Sequence, residues 1–299
     1  SSMLRRFPLE AGVSPSFEEI DSRRAANLRS EVTEVIATKD PDVFNKMITS
    51  VNEADIDRIL LEIIQYQKSF KKVVKQQDLK KILNIPEPLN EVSDTVELVF
   101  SPDTKAKNKL SNLIKVSINR LKNKSKTMQN VSEKLSQINQ LNPQLNDLDI
   151  LFDCFLQKHR KSYLPTKKKL IPTKEGKKAL GKNLSNFEEF INSVAKARDM
   201  QLRILSLKRT IILHEFANHF LSLLKALKDK RGWLDFDDLI YKTIILLENP
   251  KFANYILYRL DGGIDHILID EAQDNSPAQW DVIRLLSEDF VSGESSKSE

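Results

Sequence analysis

The stretch Ile264-Asp265-His266-Ile267-Leu268-Ile269-Asp270-Glu271-Ala272-Gln273-Asp274-Asn275-Ser276-Pro277-Ala278-Gln279 decides how this chain is read. Gly262 and Gly263 make a turn ahead of it. Ile267, Leu268 and Ile269 then form a short continuous apolar run, the pattern of a strand buried on both faces. The run stops at two acids, Asp270 and Glu271. Ser276, Pro277 and Gln279 follow as a cap, a first helical residue without an N–H, and a third helical residue able to reach back, which together make a capping box. The expected order is buried strand, acidic loop, helix.

Two carboxylates at the carboxyl end of a buried strand are costly unless a cation or hydrogen bonds compensate them. In open α/β sheets this edge is also where ligands bind. The chemistry that fits is nucleotide hydrolysis, with Asp270 holding Mg²⁺ directly or through water and Glu271 orienting and deprotonating the attacking water. Taken alone, an acid pair behind three apolar residues is better described as a solvated loop.

The wider context favours the first reading. Asp270-Glu271-Ala272-Gln273-Asp274, with Ser276 and Gln279 behind it, resembles motif II of the UvrD-like superfamily 1 DNA helicases. Trp233-Leu234-Asp235-Phe236-Asp237-Asp238-Leu239-Ile240 resembles the segment by which that family returns from an inserted subdomain to its motor core. Leu257-Tyr258-Arg259-Leu260-Asp261-Gly262-Gly263-Ile264-Asp265-His266 and Leu4-Arg5-Arg6-Phe7-Pro8-Leu9-Glu10-Ala11-Gly12-Val13 are similar to the AddA-type helicase-nuclease subunits of bacterial double-strand-break repair. The likeness is specific over residues 3–28 and 232–291 and one of layout between them. It implies ATP-driven 3′→5′ DNA unwinding in repair and recombination. Mg²⁺ and ATP would be cofactors of the complete motor, single-stranded DNA or a duplex end its substrate, and an AddB-like subunit a possible partner. Gln273 would couple nucleotide state to DNA contacts.

The fold class that follows is mainly α: a helical inserted subdomain, then a piece of a RecA-like α/β core of the P-loop NTPase type. The expected divisions are 1–38, a helical segment leading out of the motor core; 39–231, the helical insert, called 1B in this family; 232–291, the partial RecA-like domain with motif II; and 292–299, a flexible tail.

Bulk properties agree with a soluble protein. The 299 residues suffice for one large or two smaller domains, and 40% hydrophobic with 30% charged residues is a globular balance. Cys154 is the only cysteine, so no internal disulfide can form, which is compatible with a reducing cytoplasm. The first residues lack the apolar core of a signal peptide, and no apolar run approaches the roughly 18 residues of a membrane span. The net charge is +5, unevenly spread: residues 103–126 carry eight Lys/Arg against one acid and residues 157–182 ten against one, whereas residues 261–299 carry ten acids against two bases. Such a basic middle attracts a phosphate backbone without reading sequence, and Lys115, Lys122, Lys167, Lys168 and Lys169 are the candidate DNA contacts. An ordinary solvated lysine face is the plainer account of any one run.

The pattern is helical almost throughout. Ser16 to Glu19 has the form of a capping box opening a helix to about Ala37, and Asp40-Pro41 starts another. Residues 54–75 give a long amphipathic segment around Ile56, Ile59, Leu60, Ile63 and Ile64, and Pro86 and Pro88 mark a break. Leu110, Leu113, Ile114, Ile118 and Leu121 recur at helical spacing. Leu164 to Asn183, rich in lysine, reads as an exposed loop. Ser185 to Glu188 caps a long helix whose apolar stripe runs through Leu213, Phe216, Phe220, Leu223, Leu224 and Leu227 to an end near Gly232. Asp235, Asp237 and Asp238 read as capping the next helix.

Three patterns invite the wrong chemistry. Gly176-Lys177-Lys178-Ala179-Leu180-Gly181-Lys182-Asn183 nearly matches a phosphate loop, but Asn183 replaces the hydroxyl that would bind Mg²⁺ and no buried strand precedes it. His214 and His219 lie five apart, which turns their rings about 140° from each other on a helix instead of onto one face as zinc requires. Cys154 has no ligand constellation and reads as a small buried apolar residue, and His266 as a packing or hydrogen-bonding residue.

No other phosphate loop occurs among the seven glycines. The family's Gly-Asp-x-x-Gln motif, arginine finger and second motor domain are also not found in these residues. The resemblance thus describes a middle slice, whether natural truncation, split gene product or excised piece, expected to bind no cofactor tightly and to be inactive as a motor alone. Two other readings stay open: a non-catalytic helical module that binds DNA or a partner subunit through residues 103–182, and a free-standing metal nuclease on Asp270 and Glu271. No further acid and lysine at recognisable spacing support the nuclease.

Overall fold

In a computed structural model, residues 2–51, 56–72, 74–157, 166–168, 171–249, 251–252, 255–256, 259 and 267–291 are described. In chain order they form α1 (Ser2–Arg6), β1 (Glu18–Glu19), α2 (Ser22–Lys39), α3 (Pro41–Ser50), α4 (Ile56–Gln65), α5 (Gln67–Phe70), α6 (Gln76–Ile82), a 3₁₀ helix (Val92–Leu98), α7 (Thr104–Leu121), α8 (Lys126–Ser136), α9 (Leu145–Phe155), β2 (Leu156–Gln157), β3 (Thr166–Lys167), α10 (Lys174–Leu180), a 3₁₀ turn (Gly181–Asn183), α11 (Leu184–Arg231), β4 (Trp233–Leu234), α12 (Phe236–Glu248), a second 3₁₀ turn (Ala272–Asp274) and α13 (Pro277–Val291). The protein is mainly α, as the sequence implies. Among the described residues the strands are two-residue ladders: β1 with β4, parallel, and β2 with β3, antiparallel. A RecA-like sheet is not seen among the described residues.

The chain divides into two compact units, residues 1–72 with 214–299 and residues 73–213, and α11 contributes to both. The first unit closes around Leu4, Phe7, Phe17, Ile244, Leu246 and Leu285. Glu18 pairs with Trp233 and Glu19 with Leu234, and Glu18 N donates to Gly232 O (2.8 Å). Glu18 also accepts from Arg24 and from the Trp233 indole (3.1 Å). Among the described residues, the second unit has a large core, including Ile114, Leu121, Met128, Leu151, Phe155 and Phe187, and a smaller one of Ile85, Leu89, Ile204 and Leu207.

Local chemistry sets most helix starts. Pro41 is the first residue of α3, Asp103 caps α7 by accepting from Ala106 N (2.8 Å), and Gln144 and Asp147 box the start of α9. The amphipathic segment after residue 56 is broken at Tyr66 into α4 and α5, with Leu60, Ile63 and Ile64 buried.

Four expectations need correction. Ser16 does not start α2: Glu18 and Glu19 are taken up by the ladder with β4, and Asp21 caps the helix instead, accepting from Arg24 N (2.7 Å). Backbone pairing to a distant strand outcompetes the local box there. Residues 171–183 are not an exposed loop, because Thr173 caps α10, which buries Gly176 and Leu180. The same placement makes the apparent phosphate loop a helix. α11 begins at Leu184, straight out of a 3₁₀ turn, so Ser185 is inside it and caps nothing. Last, Ile267–Ile269 form no strand, and Leu268 is 96% exposed. Three residues make a strand only when neighbours accept and donate along them, and no described segment lies in ladder with these. Gly262, Gly263, His266, Lys169, all but Arg259 of the 257–266 stretch, and the 292–299 tail fall outside the described residues.

Candidate functional site

The acidic turn is a compact hydrogen-bonded unit at the start of α13. Ser276 N donates to Gln279 Oε1 (2.6 Å) and Gln279 N to Ser276 Oγ (3.3 Å), so the expected capping box is present, with Pro277 as first helical residue. Ahead of it, Asp274 N donates to Glu271 O (2.8 Å), closing the 3₁₀ turn. Glu271 takes a left-handed backbone, φ 48°, uncommon for a residue with a Cβ. Its N–H donates to Asp270 Oδ1 (3.0 Å), and Gln273 Nε2 donates to Glu271 Oε2. Asp270, Glu271 and Gln273 are thus brought together on one exposed turn. Mg²⁺ in phosphoryl transfer takes one or two carboxylates and draws its other ligands from phosphates and water. Two exposed carboxylates on one turn fit that share. Among the described residues, no group of three or more His, Cys, Asp or Glu could hold a metal.

A second charged centre lies where α11 meets α12. Asp235 and Asp238 form a reciprocal capping box: Asp238 N donates to Asp235 Oδ1 (2.9 Å) and Asp235 N to Asp238 Oδ2 (3.1 Å). Lys228, 7% exposed, sends its ammonium to Asp235 Oδ2 (2.5 Å) and Asp238 Oδ2 (2.7 Å). Burial works against the Lys228 charge, but the two carboxylates outweigh it and hold the ammonium above its usual pKa. Burial also acts against the Asp235 charge, and there Lys228 prevails and holds the carboxyl low. For Asp238 burial and the neighbouring Asp235 charge win, and its pKa is raised; burial and Asp235 likewise raise Asp237. Asp235 and Asp238 therefore cap and position the helix, as expected, whereas Asp237 takes no part in the box. Lys228 was not foreseen. Its signal was a lysine four residues after buried Leu224, on the apolar face of the stripe.

The basic candidates separate. Lys115 and Lys122 are exposed, on α7 and at its C-terminal end. Lys167 instead donates to Asn192 Oδ1, and Lys168 donates its ammonium to Asp153 O (2.5 Å) and its N–H to Phe155 O (2.9 Å), tying β3 to the end of α9. The histidines have different partners. The His214 ring lies 5.0 Å from that of Phe70, its Nδ1 has no hydrogen-bond partner, and burial lowers its pKa. His219 Nδ1 is 3.5 Å from Asp40. Cys154 is buried, which pushes its thiol up to about 12.

Among the described residues, no helix is long and apolar enough to cross a membrane. Compared with known proteins, residues 2–292 match the UvrD/REP helicase N-terminal domain. No curated protein and no solved structure matches the chain. The family match takes in the acidic turn, the boxed aspartates and the lysine-rich helices alike, and on it the chain belongs to the UvrD/REP helicase N-terminal domain family.

Proposed function

We propose that this chain is the part of an ATP-dependent 3′→5′ DNA helicase that carries motif II, and that the parent is of the AddA type, acting in double-strand-break repair and recombination. The observation that carries the reading is Asp270, Glu271 and Gln273 gathered on one exposed turn of a chain whose residues 2–292 match the helicase domain. The AddA assignment rests on the similarity of residues 4–13 and 257–266 described above. On this reading residues 39–231 are the helical insert and residues 232–291 belong to the RecA-like core, with DNA and an AddB-like subunit as partners in the cytoplasm.

Asp270 would hold Mg²⁺ and Glu271 would take the proton of the attacking water. The metal, when bound, neutralises charge building on the transferred phosphoryl group. Gln273, bonded to the Glu271 carboxylate, fixes the direction in which that carboxylate points. Positioning of phosphates, metal and water must be simultaneous, and an arginine finger alone contributes about 10³ to 10⁵ in rate. Since these 299 residues hold no phosphate loop, the polypeptide by itself is expected not to turn over ATP.

The test is ATP hydrolysis by the purified 299-residue chain with Mg²⁺ and single-stranded DNA, beside Glu271→Gln. Background-level turnover in both is the expected result. Turnover that Glu271→Gln abolishes would overturn the inactive-alone reading. A second reading, a non-catalytic helical DNA-binding module, is favoured by the exposure of Lys115 and Lys122. It predicts salt-sensitive binding to single-stranded DNA with no ATP requirement.

A further inference from the structure

An open groove of about 390 Å³ lies between α4, α5, α11 and α12, wholly within the first unit, and none of its lining residues belongs to the acidic turn. Buried Ile64, Leu224 and Leu234 close its bottom. Leu221 is half-buried, and Ile245, which also lines the groove, is 39% exposed. The groove thus presents aliphatic surface that the chain itself leaves in water.

The charge around this surface is unmet. Lys71 donates to the Tyr241 hydroxyl (2.8 Å) with its ammonium 5.0 Å from the ring centre, and Lys68 brings a second ammonium to 5.6 Å from the same ring. Lys225 lines the groove from α11, and Lys242, which donates to Gly12 O (3.0 Å), lines it from α12. Among the described residues none of these four has a carboxylate in ion-pair reach, whereas Lys80, Lys134, Lys177 and Lys208 each do. Two acids also line the groove. Asp238 is held by Lys228 (2.7 Å) beside Asp235, and Asp229 pairs with none of the lysines. Four ammonium groups therefore face Asp229 and the one spare negative charge of the Lys228 cluster, and a neutral phenol is only a weak partner for two of them.

What would satisfy this surface is an apolar face with carboxylates at its edges. An amphipathic peptide supplies both, and Gln67 and Asn218, whose amides donate and accept, suit the polar groups of a polypeptide. Inorganic phosphate or a phosphate backbone would meet the lysines and leave Leu221 and Ile245 in water.

We propose that this groove docks an acidic amphipathic segment of a partner protein, with its apolar side chains on Leu221 and Ile245 and its carboxylates at Lys71, Lys225 and Lys242. The inference goes beyond the motor reading and does not depend on it.

The experiment uses the full chain and fluorescein-labelled helical peptides of about fifteen residues, with leucines along one face and glutamates on both flanks. One control peptide has serines for the leucines and another has glutamines for the glutamates. Fluorescence anisotropy reads affinity. Lys71→Glu with Lys225→Glu reverses two exposed charges, Ile245→Asp alters the exposed apolar surface, and Lys115→Glu with Lys122→Glu is a charge-matched control in the other unit. Far-UV circular dichroism and melting temperature report whether each variant folds. The expected result is affinity about tenfold weaker or more for the Lys71/Lys225 variant, for Ile245→Asp and for both control peptides, with the Lys115/Lys122 variant binding as the native chain does. Absence of binding by the native chain, or equal binding by the folded groove variants, overturns the proposal. Equal binding of the serine peptide, or displacement by inorganic phosphate or an oligonucleotide at comparable concentration, overturns it in favour of a simple anion site. Sedimentation showing a self-associated chain that Ile245→Asp dissociates assigns the groove to a second copy and overturns it as well.

Discussion

Lys228 shows how much a single buried charge can decide. Its ammonium is buried between Asp235 and Asp238, which also cap α12, so one residue joins the end of α11 to the start of the next helix. Lys228→Met leaves two carboxylates with no cation, and an orphaned buried charge costs about 3–5 kcal/mol; urea unfolding should show a loss of that order. Asp235→Asn keeps the cap acceptor and removes the charge. Because the folded protein holds Asp235 below its usual pKa, the charge stabilises fully above the unfolded carboxylate range near 4 and is lost as pH falls below it. Asp238, held high, contributes the opposite dependence. The stability gap between native chain and Asp235→Asn should therefore be open at pH 6 and narrow on acidification toward pH 3. The aspartates were legible in the sequence, since capping acids announce themselves just ahead of an apolar run. Their lysine was not, because its one signal, a place on the apolar stripe after Leu224, does not say which acids it will meet.

At the scale of elements, the sequence reveals the caps more reliably than the pairings. The Ser276 to Gln279 box and Pro41 are correctly placed because each is decided within one turn of helix. Ser16 fails because the competing partner, Trp233, is far along the chain. α10 was hidden for another reason: its lysines suggested an exposed loop, whereas its glycine permits close approach. A Cβ built on Gly176 would stand 2.5 Å from Met128 Sδ. Gly176→Ala gains roughly 1 kcal/mol in helix propensity, but forcing atoms into a packed core costs typically about 1–3 kcal/mol. A net loss of stability is expected by thermal unfolding, and it should shrink when Met128→Ala is added to make room. That Asp270, Glu271 and Gln273 share one turn was legible from their closeness in sequence, whereas the left-handed backbone of Glu271 was not, since nothing in its neighbours demands it.

Across the whole molecule, the helical class was readable from periodicity, and the family from a few short strings at the two ends of the chain. The expected buried strand at Ile267–Ile269 was not realised, because strand character depends on neighbours that periodicity cannot supply. The β1–β4 ladder carries a further consequence, for the order of folding. Glu18 and Trp233 are 215 residues apart, and closing a flexible loop of that length costs about 5 kcal/mol of chain entropy before any constant. Two residue pairs of ladder cannot repay this in an otherwise open chain. The helices between them must first shorten the loop, which makes the ladder, like the other contacts that close this unit, a late one to form. In pulse-labelled refolding, the amides of Glu18 and Ile20, which donate to Gly232 and Leu234, should gain protection after those of α7, α8 and α11. The pairing of segments so distant in the chain would then record a late stage of folding and not its start.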